Sequence, residues 1–141
     1  MSVKQITLWR REVENRTGTL ARTLAPLAEA GANFRVVMGY RYPGDESKAA
    51  IEVFPVSGKK QIAAAQAAGL NPAEFPALLV EGDDRPGLAN RFATAVSDSG
   101  INMTFLVAQV VGRKYSAIFG FETTEDARAA AAVIKKAAAK R

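Results

Sequence analysis

The sequence has no cysteine and no histidine. Without thiolates and imidazoles, it can form no disulfide framework, zinc finger, thiol nucleophile or imidazole general base. An enzyme built from the remaining residue types needs a paired-carboxylate or Ser/Lys constellation, and the 141 residues show neither. We therefore expect a protein that is not an enzyme and that holds no metal ion and no cofactor.

Long apolar runs are also missing. No stretch approaches the ~20 apolar residues that a membrane-spanning helix needs, and residues 1–5 lead directly into strand-like sequence without the apolar region of a signal peptide. Hydrophobic residues nevertheless make up 48% of the chain, and Gly and Pro number only 11 and 6. This composition predicts a folded cytoplasmic domain with a real core and no membrane segment.

The chain is basic, with a net charge of +5. A positive balance permits attraction to nucleic acid or to anionic membranes but requires neither. Lys59, Lys60, Lys135 and Lys136 lie near the ends of alanine-rich helical segments, where cations also serve solubility and the helix dipole. We therefore interpret the basic residues as solvated surface, and nucleic acid is not the expected partner.

An internal repeat organises the sequence. A displacement of 69 residues superposes a set of identical residues: Arg16 on Arg85, Gly18 on Gly87, Arg22 on Arg91, Gly31 on Gly100 and Asn33 on Asn102. In each copy a glycine opens a helical segment, a second glycine ends it, and an asparagine precedes the next strand-like segment. The repeat predicts two related domains, residues 1–70 and 71–141.

Hydrophobic periodicity gives the same order of elements in both repeats. The first repeat is predicted to contain a strand at 5–12, a helix at 19–30, strands at 33–42 and 49–56, and a helix from about 57 to 68. The second is predicted to contain a strand at 75–81, a helix at 88–99, strands at 102–111 and 115–122, and a helix at 124–140. This βαββα order predicts an α+β, ferredoxin-like fold in which both helices cover one face of an antiparallel sheet.

Three features of this arrangement leave open questions. A ferredoxin-like sheet has a fourth strand, and neither repeat shows a full one after its second helix. The segment 102–111 is apolar on both faces, so we expect it to be buried on both sides, either between the repeats or against a partner chain. Pro26 falls inside the first helix, where we expect a kink or a late helix start.

The loop before the first helix of each repeat predicts a binding site. A helix N-terminus has unpaired N–H groups and a partial positive charge, and an adjacent Gly18 or Gly87 lets an anionic ligand approach the backbone. Asn15 and Asp84 offer acceptors for an ammonium group beside that anion site. Together these groups favour a free α-amino acid as the ligand, although Asn and Asp in this position also serve as helix caps.

Two stretches resemble ACT domains: Asp84-Arg-Pro-Gly-Leu88 with Gly100-Ile-Asn-Met103, and Asn15-Arg-Thr-Gly-Thr-Leu20 with Gly31-Ala-Asn-Phe34. The resemblance extends over essentially the whole chain and implies two βαββαβ modules that bind amino acids where modules meet and regulate an enzyme. The first copy departs from the family pattern at Thr17, where a proline is usual. By position, the resemblance implies these ligand-binding residues: Asn15, Arg16, Gly18, Thr19, Leu20 and Asn33 in the first repeat, and Asp84, Gly87, Leu88, Asn102 and Met103 in the second.

The resulting hypothesis is a tandem ACT-type regulatory module that binds a free amino acid, forms a homodimer and acts on a metabolic enzyme. One alternative is an RNA-binding ferredoxin-like module, with Tyr40, Tyr42 and the aromatic strand 114–121 as stacking groups. A second alternative is a structural or regulatory subunit that has lost its ligand. The sequence leaves the identity of the amino acid open.

Overall fold

The computed structural model of the chain describes residues 1–140. Its elements, in chain order, are β1 (Ser2–Ile6), β2 (Trp9–Glu14), α1 (Thr19–Glu29), β3 (Val36–Tyr42), β4 (Asp45–Phe54), α2 (Gly58–Ala67), β5 (Asn71–Pro72), β6 (Ala77–Asp83), α3 (Leu88–Asp98), β7 (Met103–Val111), β8 (Lys114–Phe121) and α4 (Thr124–Ala139). All four predicted helices are present and begin within about one residue of their expected positions.

The strands form two antiparallel four-stranded sheets, in the orders β3-β4-β2-β5 and β1-β6-β8-β7. The chain divides into two compact units: unit I is Thr7–Ala73, and unit II is Met1–Ile6 together with the chain from Glu74 onward. Each unit contains one sheet and two helices. The predicted α+β class with two ferredoxin-like repeats is confirmed.

The fourth strand of unit II comes from a place that the sequence did not indicate, whereas that of unit I is a residual strand directly after the second helix. β1 pairs with β6, with Ser2 opposite Glu81 and Ile6 opposite Ala77, so the N-terminal strand completes unit II. The two-residue β5 pairs with β2 and completes unit I. The units therefore differ from the predicted domains, 1–70 and 71–141, at residues 1–6 and 71–73.

The single strand predicted at 5–12 is wrong, because the chain leaves one sheet and enters the other between β1 and β2. Ile6 and Leu8 are both buried, so the apolar alternation runs through the break without interruption. Periodicity reports which side chains are buried but not which sheet each strand joins.

Both helices of each unit pack on the same face of its sheet, as predicted. In unit I the core joins Leu27 of α1 to Ile51 and Val53 of β4. In unit II it joins Phe92 of α3 to Phe119 of β8, with ring centroids 6.5 Å apart. Full burial of a side chain of this size contributes roughly 1.5–3 kcal/mol, so these layers supply most of the stability of each unit.

The helix ends follow local rules. Helix α1 begins at Thr19 and contains Pro26, so the expected late start is wrong. Gly31, at φ 84°, follows its C-terminal end as predicted. At the start of α4 the capping side chain is Thr123, whose Oγ1 accepts a 3.0 Å hydrogen bond from the N–H of Asp126. In residues 1–140, no helix combines the length and the apolar character needed to cross a membrane.

Strand β7 is not buried on both sides within its own unit, and burial against a partner chain, the other form of the expectation, stays a prediction. Leu106, Val107, Val110 and Val111 are exposed, the last to 66%. The reason is topological: β7 lies at the edge of its sheet, beside β8. A run that is apolar on both faces therefore belongs to an edge strand of this sheet.

Candidate functional site

Unit I contains a pocket of ≈ 260 Å³ between the start of α1 and the β3–β4 hairpin. Its walls come from the end of β2, the loop that follows, the first turn of α1 and the two hairpin strands: Val13, Glu14, Asn15, Arg16, Thr19, Leu20, Gly39, Tyr40, Arg41, Ala49, Ala50 and Ile51. Four of the predicted ligand-binding residues, Asn15, Arg16, Thr19 and Leu20, are among them. The structure thus brings the loop and the helix start together around one concave space.

Asn15 fixes the loop to the hairpin. Its backbone N–H donates a 2.8 Å hydrogen bond to the carbonyl of Ser47, and its side-chain Nδ2 donates a 2.9 Å bond to the carbonyl of Glu46. Because the amide nitrogen is used in this way, the side-chain oxygen Oδ1 is left as the acceptor that Asn15 offers to a ligand.

Gly18 gives helix α1 an open N-terminus. It occupies the N-cap position at φ 85° and makes no side-chain cap. A non-glycine residue would be strained at this angle, and a Cβ there would lie 2.7 Å from Nη1 of Arg22. Without a side-chain cap, first-turn N–H groups such as those of Leu20 and Ala21 remain available, at the positive end of the helix dipole.

Charged side chains surround the pocket as exposed pairs. Nη2 of Arg16 lies 2.6 Å from Oε2 of Glu14, and Nη1 of Arg41 lies 3.7 Å from Oε1 of Glu46. Exposed pairs of this kind contribute only about 0–1 kcal/mol, so a ligand can replace either partner at small cost. Among residues 1–140, no group of acidic side chains is arranged to hold a metal ion.

Tyr40 is among the lining residues, but strand alternation turns its phenol to the sheet face away from α1, where it meets a buried carboxylate. Its hydroxyl donates a 2.9 Å hydrogen bond to Oε2 of Glu52, a side chain that is only 5% exposed. Burial, followed by the hydrogen bond and the negative charge of Glu52, raises the pKa of Tyr40 above its ordinary value. On the same strand, the hydroxyl of Tyr42 accepts a 2.6 Å bond from Nη2 of Arg10.

Sequence reasoning missed the contribution of β3. Gly39 lines the pocket beneath Leu20, whose Cδ2 would lie 3.6 Å from a Cβ at this position. A glycine inside a strand pattern signals close approach of another group, and that signal was present in the sequence. Tyr40 was considered as a stacking group for RNA rather than as part of a pocket.

Other predicted residues lie elsewhere. Gly18 caps α1 next to the pocket. Asn33 is exposed in the segment between α1 and β3, at the opposite end of the helix from Gly18, and does not line the pocket. Asn102 occupies the equivalent exposed position before β7, and Met103 is the first residue of that strand. As ligand-binding residues, they stay predictions.

The loop of the second repeat has different contacts. Asp84 donates its backbone N–H to the carbonyl of Arg113 at 2.8 Å. Gly87, at φ 83°, occupies the N-cap position of α3, and the next residue, Leu88, is buried. Nη2 of Arg85 donates to the carbonyls of Ala138 and Lys140, at 2.8 and 2.6 Å. This loop is therefore bound to the end of α4.

No protein-family model matches the sequence, and no curated protein matches it. Solved structures do match. A protein from Bacteroides thetaiotaomicron superposes with a TM-score of 0.74 at 12% identity, covering 95% of this chain and 89% of that chain. The ligand-free regulatory subunit of aspartate kinase from Thermus thermophilus superposes with a TM-score of 0.62 at 17% identity, covering 97% of both chains.

Aspartate kinase from Clostridium acetobutylicum, described as an allosteric enzyme, matches with a TM-score of 0.55 at 18% identity. The match covers 96% of this chain and 33% of the kinase. At these identities the similarity is one of fold, and aspartate kinase regulatory subunits are built from ACT domains. The chain therefore has the fold of a tandem ACT-domain protein.

Proposed function

We propose that the chain is a non-catalytic regulatory module that binds a free amino acid in the pocket of unit I. The observation that carries this proposal is the pocket itself, which lies beside the uncapped start of α1. Its volume of ≈ 260 Å³ is below the roughly 300–1,000 Å³ typical of sites for drug-sized ligands, so a small metabolite is the suitable occupant.

The chemistry of the walls fits a zwitterion. The first-turn N–H groups of α1 and the guanidinium of Arg16 are suited to an α-carboxylate. Oδ1 of Asn15 and the carboxylate of Glu14 are suited to an ammonium group. Val13 and Ile51 provide apolar wall, and Gly39 leaves room above β3, which favours a small aliphatic side chain.

The similar structures support a regulatory role, since they include an aspartate kinase regulatory subunit and an aspartate kinase described as allosteric. Accordingly, we propose a metabolic enzyme as the partner and the cytoplasm as the location. A ligand changes such an assembly only through a difference in its affinity for two states. Exchange of the exposed Arg16–Glu14 pair for contacts with the amino acid is the local change that we expect to produce this difference.

We also propose that the chain forms a homodimer through β7. This edge strand has unpaired backbone groups and exposed apolar side chains on both faces. From Met103 to Val111 the strand contains no charged residue. Antiparallel pairing with a second copy about a two-fold axis would therefore bring no like charges together.

RNA binding has less support. Three aromatic residues of the strand considered for stacking, Tyr115, Phe119 and Phe121, are buried in the core of unit II. The hydroxyls of Tyr40 and Tyr42 are bonded to Glu52 and Arg10. A buried carboxylate beside Tyr40 also opposes the approach of a phosphate backbone.

The test is a thermal-shift screen of the twenty amino acids at ~10 mM, followed by titration calorimetry with any that raise Tm. Saturating ligand at about 100 Kd adds ≈ 2.7 kcal/mol to the free energy of unfolding, which is readily detected. If no amino acid raises Tm, the proposal is wrong, and the ligand-free subunit becomes the better hypothesis.

Gly39→Val provides the matched site variant. A Cβ at this position makes only ordinary contacts with Leu20, and Val suits a strand, so the fold is expected to be retained while the pocket floor is filled. Ala108→Val, at the equivalent position of β7, is the control. We expect Gly39→Val to weaken binding at least tenfold and Ala108→Val to leave it unchanged.

A further inference from the structure

We infer that each chain binds one ligand, in unit I, because Tyr115 fills the equivalent space in unit II and the end of α4 covers the loop there. This inference rests on the proposed function. It states how many ligand sites each chain has and which residue closes the site in unit II. The evidence is the difference between the two repeats.

Strand register shows which residues correspond. In unit I, Arg41 of β3 lies opposite Ala49 of β4. In unit II, Val110 of β7 lies opposite Tyr115 of β8. The repeat superposes Arg41 on Val110, so Tyr115 takes the place of Ala49, a residue that lines the pocket of unit I.

The neighbouring strand has the reverse change in size. Val13 lies opposite Ala49 in unit I, whereas Gly82 lies opposite Tyr115 in unit II. A valine–alanine pair is thus replaced by a glycine–tyrosine pair. Met1 lies over this glycine, since its Sδ would be 2.7 Å from a Cβ at Gly82, and the phenol ring of Tyr115 packs towards α3 instead.

The ring of Tyr115 is part of the core. The residue is 3% exposed, and its ring packs edge-on against Phe92 of α3, with centroids 5.7 Å apart. The repeat superposes Phe92 on Thr23 and the buried Leu88 on the pocket-lining Thr19. Two polar positions of unit I are therefore apolar core positions in unit II.

The end of α4 covers the loop from outside. Arg85 donates to the carbonyls of Ala138 and Lys140, and Nη1 of Arg91 donates to the carbonyl of Lys140 at 2.6 Å. Their counterparts in unit I have other partners: Arg16 pairs with Glu14, and Arg22 donates to Oγ1 of Thr19.

A difference in helix length accounts for this contrast. Ser57 and Thr123 are the N-caps of α2 and α4, but α2 has 10 residues and α4 has 16. At about 1.5 Å per residue, α4 extends roughly 9 Å further. The additional turns bring its last carbonyls to the two arginines, while α2 ends too early to do the same.

The experiment is titration calorimetry of the full chain with the amino acid found in the screen. We expect one ligand per chain. The double variant Val13→Gly/Ala49→Tyr transfers the unit II pair into unit I and is expected to reduce affinity at least a hundredfold, with the circular dichroism spectrum unchanged. Tyr115→Phe, which keeps the ring, is the control and should bind like the wild type.

Thr19→Leu is the second variant, for the case in which the double variant does not fold. It gives Thr19, which is partly exposed and lines the pocket, the leucine side chain of its repeat counterpart Leu88. Because this larger side chain fills part of the pocket, we expect at least tenfold weaker binding. Two ligands per wild-type chain would overturn this inference and leave the proposed function standing. Full affinity in the folded variants would overturn both, because the amino acid would then not occupy the pocket of unit I. Absence of any binding to the wild type would overturn both.

Discussion

The hydroxyl of Tyr40 lies 2.9 Å from Oε2 of Glu52 and donates a hydrogen bond to this buried carboxylate. A buried charge without such a donor is costly. We therefore predict that Tyr40→Phe lowers the free energy of unfolding by about 1.5–3 kcal/mol, the usual value for a bond to a charged group. Urea denaturation at pH 7 measures the change.

Tyr115→Phe is the opposite case. The hydroxyl of Tyr115 is buried and has no hydrogen-bond partner among the described residues. Its removal eliminates an unsatisfied polar group while the ring contacts with Phe92 persist. We predict unchanged or higher stability in the same urea assay. Clear destabilisation would mean that the hydroxyl binds a buried water molecule.

A pH dependence follows from the same two side chains. Burial raises the pKa of Tyr40 and of Tyr115 above the ordinary value of 10.0, helped by Glu52 at the first and by Asp84 at the second. The folded state holds these two phenol protons more tightly than the unfolded state. The contribution of the two tyrosines to the free energy of unfolding is therefore complete below pH 10 and is lost as the pH rises through their raised pKa values.

We therefore predict that the wild-type chain loses stability above about pH 10. In the double variant Tyr40→Phe/Tyr115→Phe, the loss of stability between pH 9 and pH 11.5 should be smaller, because both phenol groups are absent. Urea denaturation across this range provides the comparison. If the free energy of unfolding fell equally steeply with pH in the two proteins, the loss could not be assigned to Tyr40 and Tyr115.

How far the sequence predicts this structure depends on the range of the interaction. Helix α1 and its glycines follow from local spacing and capping, and Thr19, Gly18 and Gly31 all lie where these rules place them. The positions of β1 and β7 do not follow. Sheet partners are set by contacts between residues far apart in sequence, such as Ser2 with Glu81.

The residues of the candidate site also differ in how far the sequence predicts them. The loop residues Asn15 and Arg16 could be named from sequence because the repeat and the helix start mark them. Gly39 carries only the general signal of a glycine inside a strand pattern, and Tyr40 carries none, since their place in the wall depends on the way α1 crosses the β3–β4 hairpin. The closing role proposed for Tyr115 needs strand register, which periodicity alone does not provide.

Arg85 is predicted to be a stabilising residue, in contrast to its repeat counterpart. Arg85→Ala removes the donors to two carbonyls at the end of α4, and we expect a loss of about 1–2 kcal/mol. Arg16→Ala removes only an exposed ion pair, so we expect a change within about 0.5 kcal/mol. Urea denaturation of both variants is the test. Equal effects on the free energy of unfolding would contradict a stabilising contact between Arg85 and the end of α4.

The exposed strand β7 gives a prediction about assembly. Val107→Lys/Val110→Lys places a charge on each face of the strand, and charged edge residues oppose pairing between strands. We predict that the wild type sediments as a dimer and that this variant sediments as a monomer, with an unchanged circular dichroism spectrum.

Val37→Lys is the matched control for that experiment. Val37 is also an exposed valine on an edge strand, but it belongs to β3 of unit I. If β7 forms the interface, Val37→Lys remains dimeric, because its charge lies on the other sheet. A dimer that survives the β7 substitutions but dissociates with Val37→Lys would assign the interface to β3, next to the pocket, and a second copy would then contribute to the ligand site.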